Sequence, residues 1–462
     1  MTEKMTSDPQ MHDLFLASRR RHVLMLTIHG IHQWDIVPGL PDTGGQNVFV
    51  NHLSQALVDQ GFKVTTVNRG GYPHPITGKI RKGFHYKDES QRILYLEDGI
   101  KGFIRKEDMQ ASIPALIDFL NKNLDLDSNS VDLIISHYWD GGVAGDLCKQ
   151  RVPQIKHIWV PHSLGSIKKA NISPQHWMDL RIDSRIQIET RLTQVVDGIG
   201  STSTRIKTAL KQDYGYTGPI YWLPPCVDPD RFHPRQVLES DAVWEFLSQH
   251  TQLTPPEVRA CQIITEISRT DTTKRKNILI AAFAQISLRF PDTLLVVSID
   301  DHQRDLAHEM RTLIQDLQVG SRTVVVGSIW DLLPTLYAVT EIYCTPSIME
   351  GFGMSAQEAA ATGVPIIASD KVPFAIEYLL GENRRQIDAS LTSGKPLILG
   401  EGAIVVPADE VGGFAHALEL LLSDEDLREE MGARAYQITI PQFTWQTVVH
   451  TFLEAIDFKN DV

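Results

Sequence analysis

Short apolar runs alternate with amphipathic stretches along most of the chain, in two series separated by a proline-rich interval. The first series is VLMLTI (23–28), KVTTVN (63–68), ILYL (93–96), DLIISHY (132–138), HIWVPHS (157–163) and GIGSTS (198–203). The second is CQIITEIS (261–268), LLVVSI (294–299), TVVVGS (323–328), EIYCTP (341–346), PIIAS (365–369) and AIVVP (403–407). Runs this short and this continuously apolar read as parallel strands buried on both faces. Between the first two, VFVNHLSQALVDQG (48–61) has helical spacing and stops at a glycine, a common helix end. The βαβ rhythm written twice predicts an α/β protein of two doubly wound, Rossmann-like domains.

A chain of 462 residues exceeds one ordinary core, which agrees with that division. Prolines 224, 225, 229, 234 and 255 bracket the pause, and residues 225–260 read as a linker leading into the second domain. The expected domains are 1–225 and 226–440, followed by a last helix within 441–462 that can cross back to the first.

A net charge of −13 argues against a nucleic-acid surface but leaves room for a local cationic pocket. Cys148, Cys226, Cys261 and Cys344 are far apart and form no CxxC, so neither zinc nor dithiol chemistry is expected, and the setting reads as reducing cytoplasm. The apolar stretch after Arg19–Arg21 breaks at His29-Gly30 and is too short for a signal core. No run approaches the roughly 18 apolar residues of a membrane span, so no membrane partner is expected.

Three segments carry candidate chemistry. PDTGGQNVF (41–49) joins the first strand to the first helix, where paired glycines allow positive φ and close approach of a ligand to backbone amides. An ordinary tight loop would read the same, and the dinucleotide fingerprint is absent. IMEGFGMSAQEAAATGVP (348–365) follows a strand and opens a helix. Glu350 can face a sugar, amides near Gly353 and Met354 can face charged oxygens, and Glu358 can accept from a ribose diol. Two solvated glutamates flanking a turn is the plain alternative. ISRTDTTKRKN (267–277) clusters Arg269, Lys274, Arg275 and Lys276 at a strand end, suited to a diphosphate leaving group or, more blandly, to solvent.

DTGGQ, HSLG (162–165), PPCVDPDRF (224–232), Arg269 with Lys276, and the Glu350–Glu358 pair occur together and in this order. Together they resemble the GT-B glycosyltransferases of family four, across about residues 22–440, and specifically the sucrose-phosphate synthase group. Within that branch the chain is similar to the bacterial mannosylfructose-phosphate synthases. The resemblance implies two Rossmann-like domains facing a cleft. It implies that Arg269 and Lys276 hold the donor diphosphate, that Glu350 orients the donor sugar and Glu358 the ribose, and that His162 contacts the transferred sugar. Gly44, Gly45 and Gln46 would lie between donor phosphate and acceptor. Lys106, Lys168 and Arg185 would supply cations for an acceptor phosphate, with Tyr138 and Asp140 at acceptor hydroxyls.

The implied reaction is retaining transfer of a hexosyl group, mannosyl from GDP-mannose, to fructose 6-phosphate. It needs no metal or other cofactor, and a sugar-phosphate phosphatase is the expected downstream partner. UDP-glucose giving sucrose 6-phosphate is the alternative. A nucleotide-sugar epimerase would lack the acceptor cations, and an inactive binding protein would have lost Glu350 or the Arg269–Lys276 pair. Three departures stand out. The Arg269–Lys276 interval is about two residues long for the family, so Lys274 can take the lysine's role. Cys226 replaces a glycine, and KVPF (371–374) replaces a glycine-glycine-proline near the donor.

Overall fold

The computed structural model describes residues 9–37, 40–124, 126, 130–327, 329, 331–387 and 395–459. Its contacts divide the chain into one unit of residues 1–224 with 445–462 and a second of residues 225–444.

The first unit is built on an eight-stranded sheet of order β3-β4-β2-β1-β5-β6-β7-β8. Its strands are β1 (His22–Leu26), β2 (Lys63–Arg69), β3 (Gly83–Tyr86), β4 (Gln91–Leu96), β5 (Leu133–His137), β6 (Lys156–Val160), β7 (Gly198–Ser201) and β8 (Ile220–Trp222). β1 is central, pairing in parallel with β2 on one side (Leu24 opposite Thr65) and with β5 on the other (Leu24 opposite Ile134). The strand order turns around there, and the carboxyl ends of strands flanking such a switch point are where ligands bind in doubly wound sheets. Leu24, Leu26 and Ile134 bury against Leu116, Leu120 and Ile117 of the helix Ile113–Leu124, a covering that makes a continuous apolar run necessary.

The second unit repeats the plan with order β11-β10-β9-β12-β13-β16-β15-β14. Its strands are β9 (Gln262–Glu266), β10 (Thr293–Ser298), β11 (Thr323–Val326), β12 (Ile342–Thr345), β13 (Ile366–Ser369), β14 (Arg385–Ile387), β15 (Leu397–Leu399) and β16 (Ala403–Val406). β9 pairs in parallel with β10 and with β12, placing a second switch point at the ends of β9 and β12.

Four strands lie outside the expected series: β3, β8, β14 and β15. β3 runs antiparallel to β4, and β14 and β15 are antiparallel at the far edge of the second sheet. β3, β8 and β14 are partly or largely exposed, so they carry no apolar run to read. Residues 225–260, expected as a linker, hold the helices Ala242–Ser248 and Pro255–Arg259 and pack within the second unit.

The helix expected from residue 48 begins earlier, at Gly45, because Asn47 Oδ1 accepts the Gly44 amide and caps the first turn. The C-terminal helix Trp445–Ala455 belongs to the first unit: Trp445 packs 5.0 Å from the Phe49 ring. Phe458, just beyond it, stacks 5.2 Å from Phe62. All four cysteines are free. Among the described residues no helix is long and apolar enough to cross a membrane.

Candidate active site

In the first unit the candidate residues gather at the carboxyl ends of β1, β5 and β6. After β1 the chain is pinned by Asn68, whose amide donates to Thr27 O at 2.8 Å and Ile28 O at 3.2 Å. Gly30 takes φ +73°, and a Cβ there would lie 2.3 Å from Asp42 O, so only glycine lets this loop close on itself. The expected positive φ of the Gly44-Gly45 pair is not found. Gly44 is extended at φ 174°, Gly45 starts the helix, and Asp42 takes the left-handed conformation instead. A Cβ at Gly44 would meet nothing within 4 Å, so the open space rather than the backbone conformation is what the residue offers. Gln46 turns its amide to Thr27 Oγ1 at 3.3 Å.

β5 delivers Tyr138 at φ +66°, and the turn after β6 delivers His162 at φ +56°. Both are non-glycine residues in the left-handed region, a strained conformation that clusters at functional sites. His162 Nε2 lies 3.0 Å from His137 Nδ1, and its ring packs edge-on to Phe49 at 4.9 Å. Burial lowers its pKa to about 3, so His162 offers a neutral imidazole to a hydroxyl rather than a charge. Asp140 was expected at an acceptor hydroxyl. It is fully buried, and its carboxylate takes the His29 amide and His29 Nδ1, both at 2.9 Å. Asp140 therefore orients His29, whose ring packs 4.8 Å from that of Tyr138. Sequence reasoning read His29 only as the end of a strand, and a histidine at the end of a central strand was the available signal.

Lys106, Tyr138, Lys168, Arg181 and Arg185 line one cavity of this unit. They hold different roles. Arg185 is 5% exposed, and its donors are already committed to Glu189 Oε1 at 2.7 Å, the Tyr138 hydroxyl, and Ser163 O at 2.6 Å. It forms a wall of the cavity with its charge balanced by Glu189. Lys106 is ion-paired with Asp42. Lys168 remains, and burial together with the like charges of Arg185 and Lys106 lowers its pKa to about 8. Such crowding of cations is relieved by a bound anion. Arg181, at φ +45° and paired with Asp108, was missed. Its position four residues before Arg185 puts both on the same side of the turn and helix.

In the second unit the loops after β9 and β12 are joined where Ile348 donates its amide to Thr273 O at 2.8 Å. Arg269 is exposed at the end of β9. The short turn Thr272–Lys274 is followed by Arg275 at φ +53° and then by the helix Lys276–Ile286. That kink separates the two lysines. Lys274 pairs with Glu350. Lys276 is 3% exposed, with its ammonium 2.7 Å from Glu266 Oε2, 2.8 Å from Ser268 O and 2.6 Å from Ser298 O. The donors of Lys276 are thus engaged inside the domain, and Lys274 is the lysine brought to Glu350.

Gly353 caps the helix Met354–Ala361 at φ +112°, and a Cβ there would lie 2.7 Å from Val372 Cγ1. The unusual KVPF stretch thus packs directly on the loop that precedes the helix, and Phe374 donates its amide to Phe352 O at 2.8 Å. Glu358 keeps some accessible surface, yet protein crowds its carboxyl. Burial raises its pKa to about 7, with Arg231 acting in the opposite direction. Among the described residues no group of three or more His, Cys, Asp or Glu side chains is placed to hold a metal ion.

Two families match this chain: Glycosyltransferase Family 4 over residues 43–231 and Glycosyl transferases group 1 over residues 260–438. The chain is 26% identical over 385 residues to mannosylfructose-phosphate synthase of Agrobacterium fabrum, covering 79% of this chain and 80% of that protein. It is 26% identical over 426 residues to D-inositol 3-phosphate glycosyltransferase of Corynebacterium jeikeium, covering 88% and 90%. Sucrose-phosphate synthase from Thermosynechococcus elongatus shares the fold, with a TM-score of 0.75 at 22% identity over 95% of this chain and 98% of that one.

Proposed function

The chain carries a glycosyltransferase family 4 domain followed by a group 1 domain and is a GT-B glycosyltransferase, and from that premise we propose that it moves a hexosyl group from a nucleoside-diphosphate sugar to a small sugar phosphate with retention at the anomeric carbon. The observation that carries the acceptor half is the cavity holding Lys168 between Lys106 and Arg185 in a protein of net charge −13. A phosphate is a strong point attraction for lysine in such a pocket. The donor half rests on Arg269, Lys274, Glu350 and Glu358 around the ends of β9 and β12.

Arg269 and Lys274 stabilise charge on the departing diphosphate, and amides at Gly353 and Met354 add donors. Glu350 orients the donor sugar and, on donor binding, yields Lys274 to the phosphate. Gly45 leaves backbone room beside the donor, Gly44 and Gln46 face the acceptor, and His162 hydrogen-bonds the transferred sugar. The acceptor hydroxyl attacks from the face the diphosphate leaves, and the leaving phosphate oxygen accepts its proton. Retention is supported by the commitment of Asp140 to His29, which removes a carboxylate that would otherwise serve as a general base. GDP-mannose and fructose 6-phosphate are the proposed pair, supported by the similarity to the Agrobacterium enzyme. UDP-glucose with fructose 6-phosphate is the second reading for the donor, and the inositol phosphate relatives supply a second reading for the acceptor. The site is proposed to work without a metal, to lie in the cytoplasm, and to feed a sugar-phosphate phosphatase.

Side-by-side kinetics test this reading. GDP-mannose and UDP-glucose are each offered with fructose 6-phosphate, fructose and inositol 3-phosphate, in EDTA. Fructose should be a poor acceptor, with kcat/KM down by at least about 100-fold, because a charge-assisted contact to phosphate is lost. Equal rates with fructose and its phosphate contradict the acceptor assignment. Activity restored only by magnesium or manganese contradicts the metal-free mechanism, and an inverted product overturns retention.

Measured at pH 8, above the raised pKa of about 7 and with the carboxyl ionised, Glu358→Ala should raise the donor KM by roughly 10-fold or more, since hydrogen bonds to a charged acceptor contribute about 1.5–3 kcal/mol each. An unchanged donor KM in the folded variant removes the ribose role.

A further inference from the structure

Two lysines flank Arg275, and a single buried carboxylate decides between them. Glu266 is the last residue of β9, fully buried, and its Oε2 lies 2.7 Å from Lys276 Nζ. Ser298 closes the same nest: its carbonyl is 2.6 Å and its hydroxyl 2.9 Å from that ammonium. A lysine so held has spent its charge and its three protons internally. Moving it to a ligand would leave Glu266 ionised, buried and unpaired, at a cost that a single phosphate contact does not offset.

Lys274 is the counterpart. Its ammonium reaches Glu350, a residue that remains partly accessible. The turn Thr272–Lys274 is itself fastened to the β12 loop. Thr273 O accepts from Ile348 N at 2.8 Å and from Ser347 Oγ at 3.2 Å, so Lys274 is fixed at the switch-point end of the sheet. Arg275 at φ +53° reverses the chain between the two lysines and sends their side chains to different places.

We infer that Glu266 is a positioning residue for the donor site: by holding Lys276 inside the domain it commits Lys274 to the donor diphosphate. The inference rests on the donor reading given above and adds the residue that selects between the lysines. The carboxylate in β9 and the two residues added before the helix then work together, one withdrawing a cation and the other presenting its replacement.

Four full-length variants test it: Lys274→Met, Lys276→Met, Glu266→Gln, and Glu266→Gln combined with Lys276→Met. Each is measured for thermal midpoint, for binding of GDP and UDP by calorimetry, and for donor kcat and KM. Lys274→Met should melt as the wild type does and lose at least about 100-fold in kcat, the usual effect of removing one preorganised charge donor. Lys276→Met should lower the midpoint by about 5 °C or more, because it strands Glu266. The double variant should recover most of that loss in the melt, and Glu266→Gln alone, which releases Lys276, should raise the donor KM by at least about threefold, an effect that the added Lys276→Met reverses. A double variant that melts normally but is as inactive as Lys274→Met overturns the inference, as does a fully active Lys274→Met. A double variant that stays as unstable as Lys276→Met overturns the pairing with Glu266. Wild-type protein that binds neither nucleotide overturns the donor reading and the role of Lys274 with it, and the recovery of the melt still reports on the Glu266–Lys276 pair separately.

Discussion

Arg185→Ala is expected to destabilise the first unit by about 3–5 kcal/mol, the range for removing one partner of a buried ion pair. Glu189 is fully buried beside it and also accepts from Gly165 N at 2.8 Å and from the Tyr214 hydroxyl. Without the guanidinium that carboxylate keeps the bonds from Gly165 and Tyr214 but loses the one from Arg185 and its counter-charge. Tyr138, already held at positive φ, loses the partner of its hydroxyl as well. Urea unfolding with a probe in the first unit reads the effect. Arg185→Met with Glu189→Leu should recover much of it, since replacing a buried pair by apolar side chains is often neutral. A loss below about 1 kcal/mol, the range of exposed pairs, contradicts the buried network. An activity defect in Arg185→Ala is to be read against that loss of stability before any role at the acceptor is assigned.

The second large effect is acid sensitivity. Burial lowers the pKa of His22 and His32 to about 3 and that of His157 to about 4, from an ordinary 6.5. As pH falls below 6.5 the unfolded chain takes up these protons first, and the folded unit does not until near pH 4 or 3. Stability contributed by the neutral histidines is thus complete above pH 6.5 and is lost as the pH drops through 6 and 5. Each group costs about 1.4 kcal/mol per pH unit in that window, so three together approach about 4 kcal/mol per unit as an upper figure. By pH 5 the upper figure for the loss is about 6 kcal/mol, a large share of a total stability of about 5–15 kcal/mol, so the first unit should be strongly destabilised there. Urea midpoints at pH 7.5, 6.5 and 5.5 check this, and a flat profile across that range contradicts it. His157→Gln should reduce the slope, because it removes one of the imidazoles that burial holds neutral.

Apolar periodicity exposed the parallel cores because every strand near β1 and β9 is covered on both faces, which forces a continuous apolar run. β3 and β14 escaped because partly or largely exposed edge strands are under no such demand. The site was legible at the level of segments. DTGGQ, the loop at 267–277 and the loop at 348–365 do lie at strand ends beside switch points. Side-chain direction was less legible. Spacing cannot show that Arg275 reverses the chain between Lys274 and Lys276, nor that Glu266 waits inside the sheet for one of them. In the same way Asp140 reads as a free carboxylate until the fold brings His29 onto it from a residue 111 positions away.

The first unit closes only with the last residues of the chain: Lys156 Nζ donates to Ile456 O at 2.5 Å, and Arg21 Nη1 to Lys459 O at 2.8 Å. The backbone therefore passes between the units twice, near 224 and near 444. A protease nick near 444 would leave the two units covalently joined at 224, a nick near 224 would leave the second unit covalently attached only to the C-terminal helix of the first, and two cuts are needed to free residues 225–444. Truncation has the opposite character. Removing the final eighteen residues takes nothing from the second unit and uncovers Phe49 and Phe62 in the first, so a C-terminal stop codon would damage the half of the molecule encoded at the start of the gene.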